Sequence, residues 1–220
     1  MSVSIKDVEM EEVFLSHSYK SRIWCFLPVT VICITSKYVI LRISSGTKWI
    51  AAKDLNGQRI RLGSCKEWSL GVFEWIDNDL TYLICYKEWF AFGGLYNTAK
   101  ARLIKYYINF QRPLVPKPWG YDTLDLELDM VKSTALNNLT FQWKYKDQER
   151  FNLLVKKRFF TAEEVFNIEK AKEKVKEQFK IFEELIRQSS SIRTKTPNLK
   201  NLSQIKDIPL EIKNIVYEKK

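Results

Sequence analysis

The sequence has few of the residues that build common metal and nucleotide sites. His17 is the only histidine among 220 residues, and the four cysteines contain no Cys-x-x-Cys pair. A zinc site of cysteine and histidine ligands is therefore not expected, and His17 is predicted to be a surface or turn residue. Only seven glycines are present, which argues against a glycine-rich dinucleotide-binding loop.

Long apolar runs are also missing. No run approaches the roughly 20 apolar residues that a transmembrane helix needs. The first twelve residues are acidic and polar, without the apolar core of a signal peptide. These features predict a cytoplasmic protein without a membrane partner, and none of them indicates an oligomeric state. The net charge of +10 favours anionic partners such as nucleotides or nucleic acid.

Short segments rich in β-branched and aromatic residues follow one another from residue 13 to residue 160. Residues 30–43 are predicted to form one long strand or a hairpin broken at Ser36-Lys37, and residues 59–62 a further short strand. Residues 80–92 are predicted to form one central strand that ends at Gly93-Gly94. The pattern predicts an α+β protein, with a lead-in over 1–12 and an antiparallel β-barrel or sandwich of short strands over 13–160.

The pattern becomes helical after residue 160. Thr161 is a good N-cap and Glu164 completes a capping box. An apolar stripe then recurs at helical spacing in Val165, Ile168, Val175, Phe179, Phe182 and Ile186. We predict a long helix over 161–188 that packs on the barrel, with a partner surface as the alternative. Residues 189–220 form a basic tail that either contains one short helix around 210–216 or is partly disordered.

The most informative stretch runs from Asp122 to Asp129. From Leu124 to Met130, apolar residues alternate strictly with Asp125, Glu127 and Asp129. Successive side chains of a strand point to opposite faces, so this strand would send its apolar side chains into a core and align three carboxylates. Three unpaired carboxylates would have raised pKa values, and a divalent cation would remove that penalty. A solvated outer face of an amphipathic strand is the alternative.

Three other segments supply candidates for the same site. Asn109 offers a carboxamide oxygen, a normal ligand for hard cations. In a hairpin that turns at Asn137-Asn138, Asp147 would lie near Asp129, with Glu149 close by. Arg22 is a candidate phosphate contact. An all-oxygen ligand set indicates Mg²⁺ or Mn²⁺, which commonly serve phosphoryl chemistry.

The order of these pieces resembles a known family. It runs from Tyr107-Ile108-Asn109-Phe110 through a proline-containing linker and Asp122–Asp129 to Trp143 and Lys146-Asp147-Gln148-Glu149. This order is similar to that of the FomD-like nucleoside tri- and diphosphate hydrolases, most specifically over residues 105–151. The resemblance implies a small β-barrel with C-terminal helices. It also implies hydrolysis of nucleoside di- or triphosphates, or of a cytidylyl-phosphonate ester, with one or two divalent cations, Co²⁺ being a third candidate.

The resemblance also implies roles for individual residues. The implied metal ligands are Asn109, Asp125, Glu127, Asp129 and Asp147. Glu149 is a further candidate ligand, and Asp122 is either a secondary ligand or a turn residue. The catalytic candidates are Arg22, which precedes Trp24 as the family's arginine proton donor precedes a tryptophan, and Lys146. The substrate-binding candidates are Tyr107, Lys144 and Arg150.

Arg150 departs from the family pattern, because it stands where members commonly have a metal-binding glutamate. Either Glu149 takes over that role, or one metal is weakened, or Arg150 binds substrate phosphate. The predicted function is a divalent-metal-dependent hydrolase of phosphoanhydride or phosphoester bonds in a nucleotide or nucleotidyl substrate. The alternatives are a single-stranded RNA-binding module, which needs a cationic groove and exposed stacking rings, and a catalytically weakened member.

Overall fold

A computed structural model describes residues 11–64, 67–133, 143–190, 192, 194–205 and 207–217. Twelve strands lie within these ranges. They are β1 (Glu12–Tyr19), β2 (Arg22–Ile34), β3 (Tyr38–Ile43), β4 (Lys48–Lys53), β5 (Ser69–Glu74), β6 (Asn78–Cys85), β7 (Phe90–Asn97), β8 (Arg102–Gln111), β9 (Val115–Lys117), β10 (Gly120–Thr123), β11 (Asp125–Ser133) and β12 (Lys144–Lys146). The helices are α1 (Gln148–Lys156), α2 (Ala162–Ser190), a 3-10 helix (Leu199–Gln204) and α3 (Leu210–Tyr217).

The strands form one large sheet in the order β12-β11-β8-β7-β6-β3-β2-β1-β10-β9, and β4 branches from β2 to pair with β5. Neighbouring strands are antiparallel, except that β1 and β10 run parallel. The predicted α+β class and C-terminal helices are confirmed. In the described part of the chain no strand pair joins the two ends of this order, so the closed barrel stays a prediction.

Two strand predictions were wrong. Residues 80–92 contain the turn between β6 and β7, and Gly93-Gly94 lies inside β7 instead of ending a strand. A Cβ atom on Gly93 would lie 2.9 Å from a ring carbon of Tyr82, and one on Gly94 would lie 2.7 Å from Ile186. The glycines therefore let a ring and a helix approach the strand closely. The predicted strand at 59–62 contributes one bridge, between Lys53 and Arg59, before the chain turns.

The predicted capping box begins α2. The Thr161 hydroxyl accepts the Glu164 N–H at 3.1 Å, and the Glu164 carboxylate accepts the Thr161 N–H at 2.7 Å. The apolar stripe of α2 packs on β6 and β7, with Phe182 5.7 Å from Phe90 between ring centroids. It thus belongs to the main core. No helix in the described ranges is both long and apolar enough to cross a lipid bilayer.

The acidic strand is β11, and its apolar residues enter the same core as predicted: Leu124, Leu126, Leu128 and Met130. The strand is not regular. Its pairing with β8 shifts between Asp125 and Asp129, and Glu127 has a left-handed φ of 61°. This bulge changes the direction of the carboxylate-bearing face in the middle of the strand.

β12 pairs with β11 so that Lys146 lies opposite Asp129, which makes Asp147 the next residue along, as the hairpin predicts. The predicted turn at Asn137-Asn138 lies outside the described residues. Helix α1, which the sequence analysis did not anticipate, follows directly, and Asp147 is its N-cap.

Candidate active site

A cavity of about 390 Å³ opens between the strands and carries two kinds of lining. Its polar part includes Asn109, Asp125, Glu127 and Lys146. Its aromatic part consists of Trp24, Trp49, Trp75, Tyr82 and Tyr107. Small-molecule sites usually combine an apolar lining with a few converging polar groups, and a volume of this size is typical of them.

Three of the predicted metal ligands converge beside the polar part, where Asn109 and Asp125 line the cavity. Asn109 lies directly opposite Asp129 across β8 and β11. One terminal atom of the Asn109 carboxamide lies 3.2 Å from Asp125 Oδ2 and 3.2 Å from Asp129 Oδ1. Without a cation, the hydrogen-bonding partners favour the amide nitrogen in this position, where it donates to both carboxylates. With the amide rotated, its oxygen would join the two carboxylates as a third oxygen ligand for a cation. We call Asn109, Asp125 and Asp129 the oxygen centre.

The carboxylates of the oxygen centre are poorly compensated. Burial, reinforced by the charges of Asp129 and Glu127, raises the pKa of Asp125 well above its ordinary value. Burial raises the pKa of Asp129 to about 6, although a hydrogen bond with Tyr107 and the charge of Lys146 act in the opposite direction. Two acids held together at this cost are a good fit for a divalent cation, because its charge would remove the penalty.

The raised pKa of Asp129 predicts how stability depends on pH when no divalent cation is present. At pH values between 3.8, the ordinary pKa of an aspartate, and about 6, Asp129 is protonated to a greater extent in the folded protein than in the unfolded chain. The contribution of Asp129 to stability is therefore greatest at low pH and is lost as the pH rises through about 6. The unfolding free energy of the wild type should rise as the pH falls from 7 to 5. We expect a smaller rise in Asp129→Asn, measured by urea denaturation with a chelator present. An unchanged pH dependence in the variant would contradict this prediction.

The carboxylate of Glu127 contacts two arginine side chains instead of joining the oxygen centre. Its Oε2 accepts from Arg61 Nε at 2.7 Å and Arg61 Nη2 at 2.6 Å, and from Arg150 Nε at 2.9 Å. Its Oε1 accepts the Leu62 N–H at 2.8 Å. Arg61 Nη1 also donates to Asp147 Oδ1 at 2.9 Å, and this hydrogen bond lowers the pKa of Asp147. We call Glu127, Asp147, Arg61 and Arg150 the guanidinium cluster.

Lys146 lies between these two groups. Its Nζ is 3.9 Å from Asp129 Oδ2 and 3.8 Å from Asp147 Oδ2. These ion pairs are long, and more than half of the side chain is exposed. Among the described residues, no group of three or more His, Cys, Asp or Glu side chains is arranged to hold a metal. Arginines contact Glu127 and Asp147 instead.

Four other predicted site residues lie apart from the oxygen centre. Asp122 is on β10, where its Oδ1 accepts from the hydroxyls of Ser16 at 2.6 Å and Ser18 at 2.7 Å. The guanidinium of Arg22 stacks 4.3 Å from the Trp68 ring and donates to the Trp68 carbonyl. Lys144 and Glu149 are exposed, and neither lines the cavity. In the first turn of α1, it is Arg150 that contacts Glu127.

Two residues of this site, Arg61 and His17, differ from what the sequence pattern predicted. His17 lies on β1 and lines the cavity, where its Nδ1 accepts the Asp125 N–H at 3.2 Å. Burial lowers its pKa to about 4, so its ring is neutral near pH 7. The prediction of a surface or turn residue was therefore wrong. The alternation of Arg59 and Arg61 in a basic segment was the available signal for Arg61.

Comparison with known proteins places the fold. No protein-family model matches the sequence, and neither does the sequence of any curated protein. The structure is similar to that of the phosphatase SC4828 with the non-hydrolyzable nucleotide GPCP, with a TM-score of 0.72 and 15% sequence identity. That similarity covers 86% of this chain and 93% of the other.

It is also similar to the structure of FomD in complex with CDP, with a TM-score of 0.61 and 19% identity over 91% of this chain and 93% of the other. At such low identities these similarities establish the fold. The chain thus has a fold found in two proteins solved with nucleotides. More particularly, it has the FomD-like fold, which confirms at the level of fold the resemblance predicted from residues 105–151.

Proposed function

We propose that this protein is a divalent-metal-dependent hydrolase of phosphoanhydride or phosphoester bonds in a nucleotide or nucleotidyl substrate. The observation that carries the proposal is the oxygen centre at the polar part of an aromatic-lined cavity. Similarity to a phosphatase bound to a nucleotide analogue and to FomD bound to CDP supports the same class of substrate.

Asn109, Asp125 and Asp129 would hold the cation, and Mg²⁺ or Mn²⁺ suits their oxygen atoms, with Co²⁺ as a third candidate. A divalent cation supplies polarisation of phosphate oxygens and neutralises their charge. Glu127 and Asp147 fit less well, because Arg61 already contacts both carboxylates.

The surrounding residues would orient this centre. Tyr107 hydrogen-bonds the Asp129 carboxylate, and His17 accepts the backbone N–H of Asp125, which fixes the main chain at that residue. Such supporting contacts fix the direction of ligand oxygens. Lys146, which lines the cavity and forms only long ion pairs, is suited to bind a phosphate oxygen. The aromatic part of the cavity offers ring faces on which a nucleobase can stack.

The test is release of phosphate or nucleoside monophosphate from a panel of nucleoside di- and triphosphates and nucleotidyl esters, with Mg²⁺, with Mn²⁺ and with a chelator. We expect turnover of at least one nucleotide with a divalent cation and its loss when the cation is removed. Equal turnover with the chelator would refute metal dependence, and no turnover of any nucleotide under any condition would refute the hydrolase proposal. Tight RNA binding with a steep salt dependence and no turnover would support the RNA-binding alternative.

A further inference from the structure

In the guanidinium cluster, the positively charged side chain of Arg61 bridges two carboxylates. Arg61 donates through Nε and Nη2 to Glu127 and through Nη1 to Asp147, at distances between 2.6 and 2.9 Å. A divalent cation that bridged the same two carboxylates would compete for these oxygen atoms. Arg61 therefore does for Glu127 and Asp147 what a metal would otherwise do, which is to neutralise both of them together.

Arg150 reinforces this arrangement from helix α1. Its Nε donates to Glu127 Oε2, and its Nη2 donates to the Leu62 carbonyl at 2.5 Å and the Ser64 hydroxyl at 3.3 Å. The Leu62 N–H also donates to Glu127. Both oxygens of Glu127 thus have partners, and the 62–64 segment ties the arginine in place. A cation could reach Glu127 only by displacing several charge-assisted hydrogen bonds.

The basic group nearest the oxygen centre among the described contacts is Lys146, whose Nζ lies 3.9 Å from Asp129 Oδ2 in a long ion pair. In the described part of the chain, no arginine donates a hydrogen bond to Asp125 or Asp129. The two groups and Lys146 between them carry four carboxylates and three basic side chains, namely Asp125, Glu127, Asp129 and Asp147 with Arg61, Lys146 and Arg150, and so a formal charge of −1 when all are ionised. One divalent cation changes this formal charge to +1, whereas a second would raise it to +3 before substrate binds.

We propose that the protein binds one divalent cation, at Asn109, Asp125 and Asp129, and that the guanidinium groups of Arg61 and Arg150 occupy the position of a second. The inference rests on the metal dependence in the proposed function. It gives Arg150 a definite role: this residue closes a potential cation position at Glu127 with a permanent positive charge.

The experiment counts Mn²⁺ ions bound to the full chain, by electron paramagnetic resonance of free Mn²⁺ and by calorimetry without nucleotide. We expect one ion per chain in the wild type and a loss of at least about 10-fold in affinity in Asp125→Asn. The exposed α2 variant Glu177→Gln is the control and should bind like the wild type. Two ions per wild-type chain, or none, would overturn the inference.

A second pair of variants tests the role of the arginines. Arg61→Ala/Arg150→Glu removes both guanidinium groups and adds a carboxylate beside Glu127, so we expect it to bind two ions. Circular dichroism must first show that this variant is folded. If it is folded and still binds one ion, the assignment to the guanidinium groups is wrong. If it is unfolded, Arg61→Gln/Arg150→Gln is used, which removes both positive charges and keeps polar side chains of similar length. We expect this variant to bind a second, weaker ion, and its absence would likewise overturn the assignment.

The counting experiment is distinct from the activity assay. One bound ion without turnover of any nucleotide would sink the proposed hydrolase and leave this inference intact. Metal-dependent turnover with two bound ions would support the proposed hydrolase and overturn this inference.

Discussion

An Asp125→Asn variant is expected to lose at least about 100-fold in kcat/KM for nucleotide hydrolysis while remaining folded. Asp125 Oδ2 faces the Asn109 carboxamide in the oxygen centre, and an amide in its place removes one charged ligand. Loss of a residue that only supports a metal ligand already costs about 10- to 100-fold, so loss of a ligand should cost more. The measurement is phosphate release at saturating Mn²⁺, together with urea denaturation of the same samples.

The Asp125→Asn substitution should not lower stability, although it lowers activity. Because burial and two neighbouring charges raise the pKa of Asp125, its ionised form is unfavourable in the folded protein near pH 7. Asparagine removes that charge, and its Oδ1 can still accept the Glu127 N–H that Asp125 accepts at 2.7 Å. The unfolding free energy with a chelator should therefore be unchanged or higher. Strained, charged sites commonly trade stability for activity in this way.

The control for this prediction is Glu74→Gln, which changes an exposed carboxylate on β5 and should affect neither measurement. If Asp125→Asn retains more than about one tenth of wild-type activity, Asp125 is not a ligand of the essential cation. If the variant loses activity together with several kcal/mol of stability, the loss reflects misfolding, and the carboxylate is structural.

Local patterns predicted much of the fold, because the interactions behind them are local. The Thr161 and Glu164 capping box is a contact between residues three apart, and both of its hydrogen bonds are present. The alternation in Asp122–Asp129 predicted which side chains enter the core, since strand geometry fixes that choice. The closeness of Asp129 and Asp147 followed from counting residues to a hairpin turn.

The guanidinium cluster was beyond such reasoning, because its members come from distant segments. Arg61 follows the isolated bridge at Arg59 and meets Glu127 66 residues later in the chain. The direction of Glu127 depends on the bulge in β11, where a left-handed φ at a residue other than glycine gives no sequence signal. The same applies to Asp147, whose φ of 63° accompanies the start of α1. Such conformations are costly, and they cluster at functional sites.

Glu127→Ala is expected to lower the free energy of unfolding by about 2–4 kcal/mol, measured by urea denaturation with a chelator present. The change leaves two guanidinium groups and the Leu62 N–H without their shared acceptor. Breaking a buried ion pair from one side costs about 3–5 kcal/mol. The expected value is lower because the side chains of Arg61 and Arg150 are 40% and 26% exposed, and water can solvate them in part.

The decisive comparison is a double-mutant cycle with Arg150→Ala. If Arg150 is held in place by Glu127, removal of Glu127 should cost at least about 0.5 kcal/mol less when Arg150 is already absent. Additive effects would mean that Arg150 and Glu127 do not interact energetically. Because the chelator removes divalent cations, a large cost for Glu127→Ala under these conditions would show that the arginines neutralise this carboxylate without any metal. A cost below about 0.5 kcal/mol would instead mean that Glu127 is dispensable for folding and available to another ligand.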